Sequence, residues 1–198
     1  MKTQKTYLED LESWIWKTKS VRFYSHERCL SQNKWSNISI GMMSAYIIII
    51  NLITNYDINI GGSISSNHVS FITTAFSILI LVFSQLENSN DFKLRAEKFH
   101  DCSRELAKIY RKIKELKNTN NSEEELRIQS NKLTIQYNRI LEKYENHKEI
   151  DYLYFTSNYP NDFQMSCFRR ASIKFQYYFN FYFIYHLLIL SPLFIFLI

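Results

Sequence analysis

The residues of this chain best placed to do chemistry carry no charge. Ser44, Asn51 and Asn55 stand at i, i+7 and i+11 within a long apolar run, which puts them on one face of a helix. Ser70, Thr73, Thr74, Ser77 and Ser84 form a similar stripe in a second apolar run. Hydroxyls and amides in hydrocarbon need hydrogen-bond partners or water. Two roles meet that need. The stripes glue the helices of one hairpin together, or several copies turn them toward a shared water-filled pore. Neither stripe carries a charged ring, so a pore of this kind discriminates weakly between ions.

Other chemistry has little to stand on. There is no glycine-rich phosphate loop, no G-x-S-x-G elbow and no H-E-x-x-H. With Gly 3 in the whole chain, a nucleotide-binding turn is hard to build. The expectation is a protein that is not an enzyme, with no catalytic residues and no cofactor. Cys29, Cys102 and Cys167 are odd in number and far apart, which argues for free thiols. His26 and Cys29 lie three apart, but a lone pair makes a poor metal site, so no metal is expected and His26 reads as a surface residue. The net charge of +5 raises nucleic acid as a partner. The basic residues cluster at the ends of apolar runs, however, where topology and anionic lipid headgroups account for them. Nucleic acid is therefore not expected.

The elements that would position the stripes follow from where the charge is missing. Residues 35–56, 58–86 and 175–198 contain no Asp, Glu, Lys or Arg. Within the first lies "ISIGMMSAYIIIINLITNY", with Ile47 to Ile50 in a row. β-Branched runs favour strands in water. Residues 35–56 are too long for a buried strand, and as a helix they rise about 33 Å, enough for a hydrocarbon core of about 30 Å. Backbone amides in lipid must be satisfied internally, so the run is read as helical. Scarce Gly and Pro agree, and the fold class is an all-α membrane protein. Its transmembrane hairpin occupies 35–86, with spans at about 36–56 and 69–86.

Residues 1–34 read as a basic amphipathic helix in which Leu8, Leu11, Trp14 and Ile15 share a face. Lys17, Lys19, Arg22, Arg28 and Lys34 precede the first span, and Trp35 marks the interface. A polar stretch this long, with no small-residue cleavage site after the apolar run, predicts a retained anchor. The connecting loop "DINIGGSISSNH" has no Lys or Arg, whereas Lys93, Arg95 and Lys98 follow the second span. The positive-inside rule puts the N-terminus and residues 87–174 in the cytoplasm.

In 87–150, Phe92, Ala96, Phe99, Cys102 (or Ser103), Leu106, Ile109, Ile113 and Leu116 step by three and four, a heptad seam. It reads as continuing from the second span, which makes Phe92, Phe99, Leu106 and Ile113 candidates for a coupling helix. "NTNNS" breaks it, and Ser122 with Glu125 makes a capping box for a second helix with Leu126, Leu133, Tyr137, Ile140 and Tyr144 in heptad register. The expectation is an antiparallel helical hairpin whose seams pack on each other, or of which one also joins neighbouring subunits. Residues 151–174, with Pro160 and no clear period, read as a linker. Arg169, Arg170 and Lys174 precede the apolar segment 175–198, and Tyr177, Tyr178 and Phe179 resemble an interface belt. That segment is expected as a third span, or else as an in-plane interfacial helix.

The order of these elements resembles the SLATT effector domains, two-span membrane proteins of prokaryotic conflict systems. "WIWKTKSVRF" (14–23), "RCLSQNKWSNISIGMMSAY" (28–46), "LRAEKFHDCSREL" (94–106) and "YENHKEIDY" (144–152) are similar to segments of the fifth SLATT subfamily, over roughly residues 5–155. The resemblance implies a pore-forming effector of anti-phage defence that permeabilises the bacterial inner membrane. It implies a homo-oligomer, triggered by a sensor protein or a nucleotide signal, and supplies no catalytic residues. The alternative is a non-conducting anchor or coiled-coil scaffold that docks a soluble partner.

Overall fold

The computed structural model describes residues 4–56, 66–119 and 122–195, and among them there is no strand. Seven helices follow in order: α1 Gln4–Asn55, α2 Ser66–Ser89, α3 Phe92–Asn118, α4 Glu123–Lys143, α5 Glu149–Asn158, α6 Cys167–Phe181 and α7 Phe183–Ile195. The basic amphipathic helix and the first span expected as two pieces are one helix, α1, of 52 residues. No Gly or Pro interrupts it until Gly41, and a single glycine costs a helix only about 1 kcal/mol. Most of the outer loop, Asp57 included, lies outside the described residues.

The chain divides into two compact units, Met1–Leu30 with Lys93–Tyr177, and Ser31–Phe92 with Tyr178–Ile198. In the first, the α3 seam from Ala96 to Ile113 is buried and the α4 seam is buried at Leu133 and Ile140 and half-buried at Leu126, Tyr137 and Tyr144, but the two do not pack against each other alone. Leu8, Leu11 and Ile15 of α1 join Cys102, Leu106, Ile109 and Ile113 of α3 and Leu133 and Ile140 of α4 in one core. The hairpin is thus part of a three-helix bundle, because the apolar face of α1 needs cover as much as the other two. Full burial of each large aliphatic side chain stabilises by about 1.5–3 kcal/mol. Polar groups along the rim fix the register. Tyr7 Oη and Thr134 Oγ1 lie 2.8 Å apart, Thr18 Oγ1 and Tyr137 Oη 2.9 Å apart, and Lys143 Nζ donates to Glu105 at 2.7 Å. Trp14, expected on the buried face, is 48% exposed. Trp16 carries the packing instead, against Phe155, Tyr159 and Phe163.

Two expectations about connections are corrected. The α3 seam does not continue unbroken from the second span. Asn90 N–H donates to Glu87 O and Asp91 N–H to Asn88 O, closing α2, and Asp91 takes φ 48° before α3 begins. Ser, Asn and Asp compete with helical hydrogen bonding, and Asn and Asp tolerate the left-handed region, so "NSND" punctuates the helix. Residues 151–174 are not a linker. They hold most of α5 and the start of α6, and Asp151, Phe155, Thr156 and Ser157 are buried. The capping box before α4 forms as expected: Glu125 N–H donates to Ser122 Oγ at 3.3 Å, and Ser122 N–H donates to Glu125 Oε2 at 3.0 Å.

The second unit contains the later part of α1, α2 and α7. Asn51 meets Thr73, Trp35 packs on His186 with ring centroids 4.5 Å apart, and Tyr46 Oη donates to Ile189 O at 3.1 Å. α2 touches its neighbours along a narrow line seven residues apart, with Thr73 and Ile80 buried and Glu87 accepting from Tyr185 Oη at 2.7 Å. Around that line it is bare: Phe71, Ile72, Phe76, Ile78, Leu79, Leu81 and Val82 are exposed. The stretches Tyr7–Asn55 and Asn67–Asn118 are long and apolar enough to cross a membrane, and only 11% of the apolar window of each is buried. A soluble core helix would bury most of that window. α7 rises about 20 Å over its 13 residues, less than a full hydrocarbon core of about 30 Å.

Leu106→Ala opens a cavity in the three-helix core and should cost about 2–5 kcal/mol. Trp14→Ala removes a half-exposed side chain and should cost far less. Thermal melting of the full chain in detergent checks both, and equal losses would contradict the burial described.

Candidate functional site

Built up from its residues, the apolar hairpin brings two of the expected polar groups together. Thr73 is buried, and its Oγ1 donates to Asn51 Oδ1 at 3.2 Å, while Asn51 Nδ2 donates to Ile47 O at 3.0 Å. Both ends of the Asn51 amide are therefore engaged within one chain. Ser44 Oγ donates to Ile40 O at 2.9 Å, Thr74 Oγ1 to Ser70 O at 2.7 Å and Ser77 Oγ to Thr73 O at 2.8 Å. Each of these hydroxyls is satisfied by a carbonyl of its own helix, which makes it tolerable in hydrocarbon. Asn55, Ser70, Thr74 and Ser77 are exposed, and Ser84 is half-buried. Ser70, Thr74 and Ser77 are at i, i+4 and i+7, so α2 carries a line of hydroxyls on an outward face. The expected stripes thus divide into a paired set inside the hairpin and an exposed set outside it.

The first unit holds a second polar assembly that the sequence did not announce. Asp151 is fully buried at the start of α5. Arg28 grips it with two hydrogen bonds, Nε to Oδ1 at 2.7 Å and Nη2 to Oδ2 at 3.0 Å. Ser25 Oγ donates to Oδ2 at 2.8 Å and the Lys148 N–H to Oδ2 at 3.2 Å. Burial would lower the Arg28 guanidinium, but the hydrogen bonds and charge of Asp151 outweigh it and hold the group above its ordinary value. Six residues earlier on α1, Arg22 is also buried. It donates to Glu145 O, and to Asn146 Oδ1 at 3.0 Å, with its guanidinium over the Phe99 ring. Arg95 Nε in turn donates to Glu145 Oε2 at 3.1 Å. The segment 145–151 is therefore held by arginines of two helices. Of the basic residues read as a membrane-end signal, Arg22 and Arg28 are instead the electrostatic core of this unit.

The candidate coupling residues Phe92, Phe99, Leu106 and Ile113 are all buried. Cys29 and Cys102 are buried free thiols and Cys167 is exposed. Burial pushes the Cys102 thiol up to about 11. His26 is no surface residue: its Nδ1 lies 2.9 Å from Ala96 O and its ring 4.8 Å from that of His100. Among the described residues, no group of three or more His, Cys, Asp or Glu is arranged to hold a metal ion.

Helices throughout, two of them apolar enough to span and carrying their apolar surface outward, define a two-span all-α membrane protein. Residues 4–198 match the model of the SMODS and SLOG-associating 2TM effector domain family 5, and the chain belongs to that family. The match runs past residue 155 to the end of the chain. No curated protein and no solved structure matches it.

Asp151→Asn should destabilise the protein by about 3–5 kcal/mol, because it strands a buried guanidinium. Replacing both partners with apolar residues, as in Arg28→Met with Asp151→Leu, should lie closer to wild type. Urea titration of the detergent-solubilised chain separates the two. A pH effect comes from His147. Burial, and then the charge of Arg22, hold its imidazole below the ordinary value, and its Nδ1 is buried with no hydrogen-bond partner among the described residues. The unfolded chain takes up that proton near pH 6.5, above the folded value, so stability falls as pH drops through about 6.5 and levels off below the folded value. His147→Gln should flatten the fall in stability below about pH 6.5. An unchanged profile would remove His147 as the cause.

Proposed function

We propose that this chain is the pore-forming membrane effector of an anti-phage conflict system. Several copies assemble in the bacterial inner membrane and permeabilise it when the charged helices receive a signal. The observation that carries this reading is the outward face of α2. Ser70, Thr74 and Ser77 line up among exposed Phe71, Ile72, Phe76 and Ile78, in a helix whose packing within the chain occupies only a narrow line. Copies that cover the apolar flanks would turn the hydroxyl line toward a common lumen, with Asn51 and Thr73 pinning each hairpin behind it. The lumen is uncharged and weakly selective.

Topology follows the basic residues. Lys17, Lys19 and Lys34 before the first span, and Lys93, Arg95 and Lys98 after the second, support a cytoplasmic N-terminus and a cytoplasmic 87–174. Anionic headgroups meet the exposed cations at the span ends. The trigger is a sensor protein or a nucleotide signal acting on the helical bundle of the first unit. Coupling requires an element with two states that the signal biases. The turn at Asn90 and Asp91, where α2 gives way to α3, is the candidate, with Phe92, Phe99, Leu106 and Ile113 as the packed side of the moving helix.

A second reading is favoured by one observation: the hydroxyls of Thr74 and Ser77 are already satisfied by their own helix. They need no lumen, and the chain would then be a non-conducting anchor or scaffold whose bundle docks a soluble partner.

Membrane potential during controlled expression in bacteria, read with a voltage-sensitive dye, tests the pore. Wild type should depolarise the cells. The double variant Thr74→Leu, Ser77→Leu should insert equally and depolarise at least about tenfold less, the loss of roughly 1.4 kcal/mol of favourable pore hydration. Depolarisation by both would move the lumen away from this face. No depolarisation by either, with a stable hetero-partner on crosslinking, would favour the anchor.

A further inference from the structure

We propose that α6 is a lipid-docking helix that lays a phenylalanine stripe against an anionic bilayer surface. At about 100° per residue, Phe168, Phe175 and Phe179 fall within about 40° of one another on α6. All three are exposed, Phe168 at 86% and Phe175 at 69%. The opposite face is the packed one: Ile173 and Tyr177 are buried, and Tyr177 stacks on Tyr154 of α5 with ring centroids 3.9 Å apart. Arg170 Nε donates to Ser157 O at 3.0 Å and ties the same side of the helix to α5. Packing thus holds α6 with Phe168 and Phe175 turned outward.

The flanks of the stripe identify what covers it. Arg169 lies about 100° to one side of Phe168 and Lys174 about 120° to the other, and both are exposed. From Cys167 to Ile195 there is no Asp or Glu. A second copy meeting this face would set cations against cations. Anionic headgroups would accept them while the rings enter the boundary between headgroup and acyl chains. The chain is a membrane protein, so such a surface is at hand. The proposal is independent of the pore, since an anchor would use the same face.

Cys167, next to the stripe, supplies the reporter. It is the exposed thiol, whereas Cys29 and Cys102 are buried. The full chain, labelled at Cys167 with a polarity-sensitive fluorophore, is reconstituted into vesicles of zwitterionic lipid alone or mixed with phosphatidylglycerol. The label should shift to the blue and be quenched by a shallow lipid-borne quencher in the anionic vesicles. Arg169→Gln with Lys174→Gln should lower the docked-to-undocked ratio by roughly tenfold or more. Phe168→Ser with Phe175→Ser should abolish docking while helix content and melting stay those of wild type. A label that remains in water in both lipids overturns the proposal. So does equal quenching in both lipids. A photo-crosslinker at position 168 that captures another copy of the chain instead of lipid overturns it in favour of self-association.

Discussion

Asp151 places a carboxylate where its side chain is fully buried, and the first unit is organised around making that tolerable. Isolated in a low-dielectric interior, a carboxylate costs several kcal/mol. Here it receives a guanidinium fork, a serine hydroxyl and a backbone N–H, so its oxygens are saturated. Each donor fixes something else. Arg28 and Ser25, one turn apart on α1, set the rotation of that helix. The Lys148 N–H is one of the backbone donors that the helical ladder of α5 does not satisfy at its start, so the carboxylate that accepts from it both caps the helix and sits at the positive end of its dipole. Such a pair adds little net stability over an apolar substitute, but it makes one arrangement far better than its neighbours. A slip of α1 by one residue would leave both charges buried and apart.

The four stretches on which the family resemblance rests are the ones this assembly joins. Arg22 belongs to "WIWKTKSVRF", Arg28 to the stretch that opens "RCLSQ", Arg95 and Phe99 to "LRAEKFHDCSREL", and Glu145, Asn146 and Asp151 to "YENHKEIDY". Their contacts with one another give a physical meaning to these short motifs. The contacts among them encode a folding constraint.

What could be read in advance follows from the range of each interaction. The α3 and α4 seams were legible because helical burial repeats every three to four residues and leaves a local pattern. The Ser122–Glu125 box was legible because it closes within one turn. α5 was not, since ten residues rich in Tyr and Phe beside Pro160 show no period, and their helix is secured by Asp151 and by Trp16 from far along the chain. Arg22 and Arg28 misled for a related reason. A basic residue before an apolar run is usually a topological signal, and only a partner more than a hundred positions away makes it a core residue. In the apolar hairpin, spacing picks out the polar residues but not their division between an inner and an outer face. Thr73 and Thr74 are adjacent, yet one is buried against Asn51 and the other faces outward, a difference set by the rotation of α2 against α1.

That rotation is weakly held, and the consequence concerns function more than fold. Along α2 the fixed points are Thr73, Ile80 and Glu87, one contact for each seven residues. The rest of its surface is large apolar side chains interrupted by self-satisfied hydroxyls. In water such a helix would drive association by the hydrophobic effect. In lipid that force vanishes, because the tails are as apolar as leucine, and helix pairing falls to close packing and polar contacts. A hydroxyl bonded back to its own carbonyl keeps a second lone pair, so water or another helix can still bind it at little cost. The α2 face is therefore compatible with lipid and with a wet interface, and its energy differs little between them. On the proposed reading as a gated pore, a surface with that property is what a channel closed until signalled needs, whereas a permanent pore would be better served by a face that lipid could not satisfy.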